Sequence, residues 1–510
     1  MTMRALVAPG GAALLGLFTL AACTSGGARA TTQSASPGSE GGTSSPVGDA
    51  SGPAAPDGSG APPDAGTRAE GGCAAFDVPL ASLTAHNTSA SATYDQSHFP
   101  ANFGTTSWVS QAGATVSVDP SQMDMSMNPV TPGHVSAANV HTLVPSRPDL
   151  RWFAHITPWF STAGGPHIDI GLDNDSTAYV QAMVADMMNR GFDGLIVDWY
   201  GKGSYEDSVT LLVQKVLATL PAGSFKFIVM MDKGISGLSQ SVLQTQVQYV
   251  QSQYFPDPSY ELEAGQPILM FFGVDTALGA TAMAAVKSAT GGKMVWVTEG
   301  PGTLSESWVD QCFDWTHDYH AGDVASDPYD LGGVAGFYSS VGASTKKAFG
   351  SMEAGFNGTL TKSVSWSEGK YLPRGSGACL VQTAAKIDAV IPANVTRMQW
   401  ATWSDWEEGT EIESGVENDV AVTASVQGST LSWSTTSGTG DESTLDHYEV
   451  YASVDGVRAA DLGSVPVAAH SFDLGSASCL ASGTTYRLQV VAVGRPCIRN
   501  HASAVVMYAP

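Results

Sequence analysis

From Arg151 onward the chain alternates short, near-continuous apolar runs with longer stretches whose apolar residues recur at helical spacing. The apolar runs are Arg151–His155 (RWFAH), Asp193–Trp199 (DGLIVDW), Phe225–Met231 (FKFIVMM), Pro267–Phe272 (PILMFF), Lys293–Thr298 (KMVWVT), Val334–Tyr338 (VAGFY) and Arg397–Trp403 (RMQWATW). Helices are expected over Thr177–Arg190, Tyr205–Leu220, Leu238–Tyr254, Thr276–Ala289 and Ala378–Val390. Runs this short and this apolar predict strands buried on both faces, as in a parallel sheet covered by helices. With an eighth strand near Thr361–Trp366, they predict an α/β fold, a closed (β/α)8 TIM barrel within residues 73–419. In such a barrel the active site sits at the carboxyl ends of the strands.

The pattern changes on both sides of this region. After Asn418, DVAVTASVQGSTLSWSTTSG, DHYEVYAS and TTYRLQVVAVG show period-two alternation and turn-rich links. They predict an all-β sandwich of fibronectin type III type over 420–510, with Trp433 in its core and Tyr486 as a tyrosine corner. A spacer role is expected for it in preference to an accessory role in carbohydrate contact. Residues 24–72 hold almost no large apolar side chains and read as a disordered Gly/Ser/Pro tether. The Met cluster SQMDMSMNP fills core gaps or lines a cleft.

At the start, Arg4 precedes an apolar segment, Ala12 to Leu20, and then Leu20-Ala21-Ala22-Cys23. That order predicts a signal peptide over 1–23 ending in a lipobox, with Cys23 carrying the lipid anchor of an extracytoplasmic cell-envelope lipoprotein. Export permits disulfides. Of the remaining cysteines, Cys479 is expected to pair with Cys497; Cys312 with Cys379 and Cys73 with Cys379 stay open. The chain has 23 Lys+Arg against 48 Asp+Glu, a formal charge of -25. That balance argues against nucleic acid as a partner and fits a neutral or cationic substrate. A monomer is expected, and no cofactor is implied.

The candidate chemistry gathers at the strand ends. The last apolar run stops at Ser404-Asp405-Trp406-Glu407-Glu408-Gly409, between Trp400, Trp403 and Trp406. Asp405 and Glu408, three apart, can aim two carboxyls into one cavity, and their repulsion would keep a proton on one of them. That is an arrangement for general acid/base chemistry at an acetal; the bland alternative is a solvated acidic loop. GFDGLIVDWYGKG offers Asp198, Trp199 and Tyr200 for sugar hydroxyls and stacking, or Asp198 as an N-cap. RWFAHITPWF supplies His155 and Trp159, the histidine being a sugar donor or a core residue. Asp232, Glu299, Asp314 and Tyr338 leave other strand ends and complete the expected binding set with Trp406. DWTHDYH could hold zinc through His317 and His320, but nothing like HExxH accompanies it and no metal is expected. Asp169, Asp173 and Asp175 do not have the spacing of a calcium loop.

HITPWF, GFDGLIVDWYG and QWATWSDWEEGTEIESG, in that order, resemble the barrel glycoside hydrolases of family 99, the endo-α-mannosidases, and of family 71, the α-1,3-glucanases. The resemblance spans roughly residues 150–418. Family 99 ends its last strand with a motif like NEWHEGTQIE, whose first two glutamates fall on Asp405 and Glu408. The WNDYGES-like motif of family 71 places its aspartate and glutamate on the same two residues. The resemblance therefore implies Glu408 as general acid/base and Asp405 as the second catalytic carboxylate. Aspartate in place of the family 99 glutamate shortens the reach, and Ser404 stands where both families carry asparagine. The expected activity is hydrolysis within an α-linked polysaccharide or oligosaccharide. Noncatalytic glycan binding by a surface lipoprotein is the alternative.

Overall fold

The computed structural model describes residues 75–85, 87, 133–160, 173–315, 327–357, 370–436 and 441–510, with short strands at 107–109, 115–117 and 319–320. Eight strands form the central sheet: β1 (Arg151–Ile156), β2 (Gly194–Trp199), β3 (Lys226–Asp232), β4 (Gln266–Phe272), β5 (Val295–Glu299), β6 (Gln311–Phe313), β7 (Lys347–Met352) and β8 (Val395–Trp400). Every neighbouring pair is parallel, β8 pairs with β1, and β3 pairs with β4, so the sheet closes on itself. This is the architecture of a TIM barrel.

Period-two alternation divides the strand residues between two cores. Phe153, Ile196, Ile228, Met230, Ile268, Met270, Val297, Phe313 and Phe349 pack together inside the barrel. Their sequence neighbours, among them Trp152, Leu195, Phe227, Leu269, Trp296, Cys312, Met398 and Trp400, pack outward in a second cluster. That outer cluster meets helices α1 (Thr177–Asn189), α2 (Tyr205–Leu217), α3 (Gln240–Gln253), α4 (Val274–Leu278), α5 (Ala280–Ala289), α6 (Leu331–Gly342) and α7 (Ala378–Val390). At the amino-terminal end of the barrel, buried Glu261 accepts from Arg151 at 2.5 Å and from Arg397 at 2.7 Å.

Six of the expected strands form, with boundaries shifted by a few residues. The seventh, Val334–Tyr338, is instead part of α6. Its glycines and aromatic residues mask the helical period, while Asp330 starts the helix by accepting from the Gly333 N–H at 3.1 Å. The sixth and seventh strands of the barrel are β6 and β7, which sequence reading passed over. The eighth candidate, Thr361–Trp366, lies outside the described residues, as do the leader, the tether and the Met cluster.

Beyond the barrel lie two antiparallel sheets. One runs Val78–Pro79, Arg458–Pro466, Leu445–Ser453, Tyr486–Gly494 and His501–Ala502, with Val506–Tyr508 also against Tyr486–Gly494. The other runs Ala421–Gln427, Thr430–Thr436 and Ser471–Asp473. Trp433, Tyr448, Val450, Leu488 and Val490 share one core, an arrangement compatible with a β-sandwich. The Tyr486 hydroxyl donates to the Cys479 carbonyl at 3.2 Å and accepts from the Ala481 N–H at 2.8 Å. The expected Cys479–Cys497 pair does not form: Cys497 is free and buried, and so are Cys312 and Cys379. Cys497 instead sits beside the Arg190 guanidinium.

Candidate active site

The loop after β8 is a closed turn. Its first residues are tied to the barrel, because the Ala401 N–H donates to the Met352 carbonyl at 2.9 Å and the Trp403 N–H to that of His155 at 2.7 Å. The Thr402 hydroxyl accepts from the Asp405 N–H at 2.7 Å and lies 2.9 Å from the Thr410 hydroxyl. The Asp405 carboxylate accepts from the Glu408 N–H at 2.9 Å. The spacing of the two acids is thus also that of an N-cap and its third residue, which fixes Glu408 relative to Asp405. Asp405 is buried and Glu408 half-buried.

An irregular buried loop pairs only some of its carbonyls with its own N–H groups, so other groups must take the rest. Here three arginines do. Arg374 donates to the carbonyls of Gly409 at 2.6 Å and Glu411 at 2.9 Å, and to the Glu411 carboxylate at 3.3 Å. Arg190 donates to the carbonyls of Ile412 at 2.7 Å and Glu413 at 2.8 Å, and its guanidinium lies 4.6 Å over the Trp403 ring. Arg499 donates to the Ser414 carbonyl at 3.0 Å. Glu411 and Glu413 belong to this framework, Glu413 accepting from the Tyr179 hydroxyl at 2.8 Å. Ser404 faces Thr157, whose N–H donates to its hydroxyl at 3.2 Å.

Residues that continue the inward alternation past the apolar core reach the carboxyl-end mouth. On β1 this is His155, on β2 Asp198, on β3 Asp232, on β4 Phe272 and on β5 Glu299; Trp315 follows β6. His155 lies 3.9 Å from the Asp198 carboxylate and meets the Trp315 ring edge-on at 4.9 Å between centroids. Trp315 in turn packs on Phe272 at 4.6 Å. Neither ring nitrogen of His155, nor Asp198 Oδ1, has a hydrogen-bond partner among the described residues. The contact is not an ion pair at neutral pH. Burial lowers the His155 pKa to about 3, and burial, then the charge of Glu206, raises that of Asp198 to about 8.

Tyr200 ties the loop to this ring. Burial, then the charges of Asp198, Asp232, Glu206 and Asp405, push its phenol far up. Four carboxyls, from two strand ends, a helix and the loop, therefore act on one phenol. Trp159 packs on Tyr200 at 5.7 Å. Asp232 is held well above the carboxylate range by burial and by Asp198, opposed by the Gly234 N–H and Lys233. A Cβ on Gly234 would lie 2.9 Å from Asp232 Oδ1 and 3.2 Å from the Tyr200 ring, so glycine lets this turn hold both. Burial and Asp275 raise Glu299, with Lys233 opposing. The structure thus brings together Asp405, His155, Asp198, Tyr200, Asp232 and Trp159, with Glu299 beside Lys233 and Glu408 fixed to Asp405.

Four expected binding residues are placed elsewhere. Trp199 points outward, fully buried; its indole N–H donates to Asp207 at 3.0 Å and its ring stacks on Tyr249 at 6.0 Å. Tyr338 lies on α6 with its hydroxyl 3.7 Å from Met398 Sδ. Asp314 alternates with Phe313 and Trp315 and acts on Cys312 and Tyr338, in the strand–helix layer. Trp406 is fully buried in the outer core. Sequence reading missed Glu206, Asp275, Lys233, Phe272 and Trp315. Glu206 resembles any acid in the first turn of a helix, but Phe272 and Trp315 follow from the strand alternation. His317 lies outside the described residues, and among those described no cluster of His, Cys, Asp or Glu is arranged to hold a metal.

No protein-family model matches the chain, and no curated protein matches it. Solved structures do. A family 99 endo-α-mannosidase from Bacteroides thetaiotaomicron, in complex with BIS-TRIS-propane, is similar over 52% of this chain and 86% of its own, at 14% identity and a TM-score of 0.42. A second structure of a family 99 endo-α-mannosidase from that organism covers 52% and 87%, at 14% identity and 0.41. A glycoside hydrolase of family 5 from Bacteroides vulgatus covers 76% and 94%, at 9% identity and 0.29. At these identities the likeness assigns no activity.

Proposed function

We propose that this chain is a glycoside hydrolase acting within α-linked polysaccharides or oligosaccharides. One observation carries the reading: Asp405 accepts from the Glu408 N–H at 2.9 Å in the loop after β8, whose Trp403 N–H donates to the carbonyl of His155, itself 3.9 Å from the Asp198 carboxylate. A mouth lined by carboxyls and by aromatic rings (Trp159, Trp315, Phe272) suits a sugar, which offers hydroxyls at its rim and C–H groups on its faces. Glu408 protonates the leaving glycosidic oxygen, and Asp405 is the partner carboxylate. Protonated Asp198, neutral His155 and Tyr200 supply donors and acceptors for sugar hydroxyls, with Asp232 and Glu299 further along the rim. Trp199, Tyr338, Asp314 and Trp406 act as supports. This chemistry implies no cofactor.

In the same reading, residues 1–23 act as a lipoprotein leader, 24–72 as a tether from lipidated Cys23 at the cell envelope, and 420–510 as a fibronectin type III-like module, and the chain works as a monomer. The test is a panel of α-linked glycans with product anomers followed by NMR. Turnover by the wild type, with binding but no turnover in D405N and E408Q, supports a hydrolase. Glycan binding without turnover in the wild type would instead make the chain a noncatalytic glycan-binding lipoprotein.

A further inference from the structure

We infer that the C-terminal β-domain is a positioning part of the active site, with Arg499 as the residue that sets the acid-bearing loop; the inference rests on the proposed role of Asp405 and Glu408. The loop does not end in a linker. Val416 forms a parallel bridge with Ile498, its N–H donating to the Cys497 carbonyl at 2.8 Å and its carbonyl accepting from the Arg499 N–H at 2.9 Å. The Arg499 side chain then turns back along the loop. It donates to the Ser414 carbonyl at 3.0 Å and to Glu417 at 3.3 Å, and approaches the Ser414 hydroxyl at 3.4 Å. His501 adds a contact to Glu417 at 2.8 Å.

The approach leaves no slack. Gly415 has φ 78, and a Cβ there would lie 2.4 Å from Val135 and 3.2 Å from Arg499. Ser414 passes the constraint inward: its N–H and hydroxyl lie 3.4 and 3.3 Å from Glu411 Oε2, on the carboxylate that Arg374 holds. Residues 497–499 also reach the second clamp, because the Cys497 thiol sits against Arg190, which holds the Ile412 and Glu413 carbonyls. Of the three arginines that fix the loop, Arg499 belongs to the C-terminal domain, and Arg190, forked on Asp186 of α1 at 2.9 and 2.7 Å, meets that domain at Cys497. A displacement of about 1 Å in a catalytic group can cost on the order of a hundredfold in rate. The domain thus acts on chemistry without touching substrate, which a spacer does not do.

The test uses the full chain with Arg499→Met and Arg499→Lys. It measures kcat and KM on a cleaved α-glycan and amide exchange in peptides covering 404–418 and β2. We expect kcat to fall roughly 10- to 100-fold in Arg499→Met with KM within about threefold. Exchange in 404–418 should rise at least about tenfold while β2 is unchanged, with Arg499→Lys recovering part of both. Loop exchange and kcat within about twofold of wild type would overturn the inference. So would a uniform rise in exchange across the barrel, which marks a merely structural residue. If Arg499→Met does not fold, Arg499→Lys decides by the same readings. An inactive wild type would sink the hydrolase reading alone, because loop exchange still reads the clamp.

Discussion

Asp198→Asn should stabilise this protein, and increasingly so as pH rises. The wild-type carboxyl is buried beside Asp232 and Glu206, and its pKa is raised from 3.8 to about 8. The folded state therefore holds a proton that the unfolded chain releases above about pH 4. Stability is lost as pH climbs from about 4 to about 8 and is level beyond. The shift is about 4 units, and at 1.36 kcal/mol per unit it amounts to about 6 kcal/mol in full, of which about 4 kcal/mol falls between pH 5 and 9. Asparagine has no charge to bury and avoids the loss. A folded unit of roughly 400 residues shifts its melting temperature by about 1 °C per kcal/mol. The difference in Tm, variant minus wild type, should then widen by about 4 °C from pH 5 to pH 9. Calorimetry across that range reads it directly. A difference constant with pH would refute a buried, proton-holding Asp198. Asp198 is proposed to bind the sugar, so the same variant should also lose turnover.

Three further variants separate framework from site. Arg374→Met removes the cation from the buried Glu411 carboxylate, 1% exposed, and should cost about 3–5 kcal/mol in a urea melt, with the R374M/E411Q double variant recovering much of it. Trp199→Phe removes the indole donor to Asp207 and should cost about 1–3 kcal/mol with KM unchanged; a large rise in KM would return Trp199 to the sugar site. Tyr338→Phe loses only a hydroxyl facing Met398 Sδ at 3.7 Å, so kcat/KM should stay within about twofold, whereas a tenfold loss would place that hydroxyl on substrate.

The barrel was legible because parallel strands buried on both faces leave near-continuous apolar runs, and most of the β/α units carry one. It was illegible where that signal fails. β6 spans only three residues, β7 opens on lysine and contains glycine, and α6 has too many glycines to show its period. At the mouth, residue type was legible but direction was misjudged. Asp198 and Trp199 are neighbours and face opposite ways; Ile196 and Asp198 share a face, as do Met230 and Asp232. Counting by twos from the barrel interior turns Asp198 inward and Trp199 outward. The loop after β8 has no period, so the buried side of Trp406 and the framework role of Glu411 could not be read. The clamps come from Arg190, Arg374 and Arg499, far apart along the chain, and nothing local in their sequence marks them.

Proton delivery by Glu408 to the leaving sugar is read from the turnover of E408Q on an α-linked glycan and on the matching glycosyl fluoride, whose leaving group needs no proton. The loss should be roughly a hundredfold or more on the glycan and much smaller on the fluoride. E408Q cleaving the glycan at the wild-type rate would remove Glu408 from the proposed acid role.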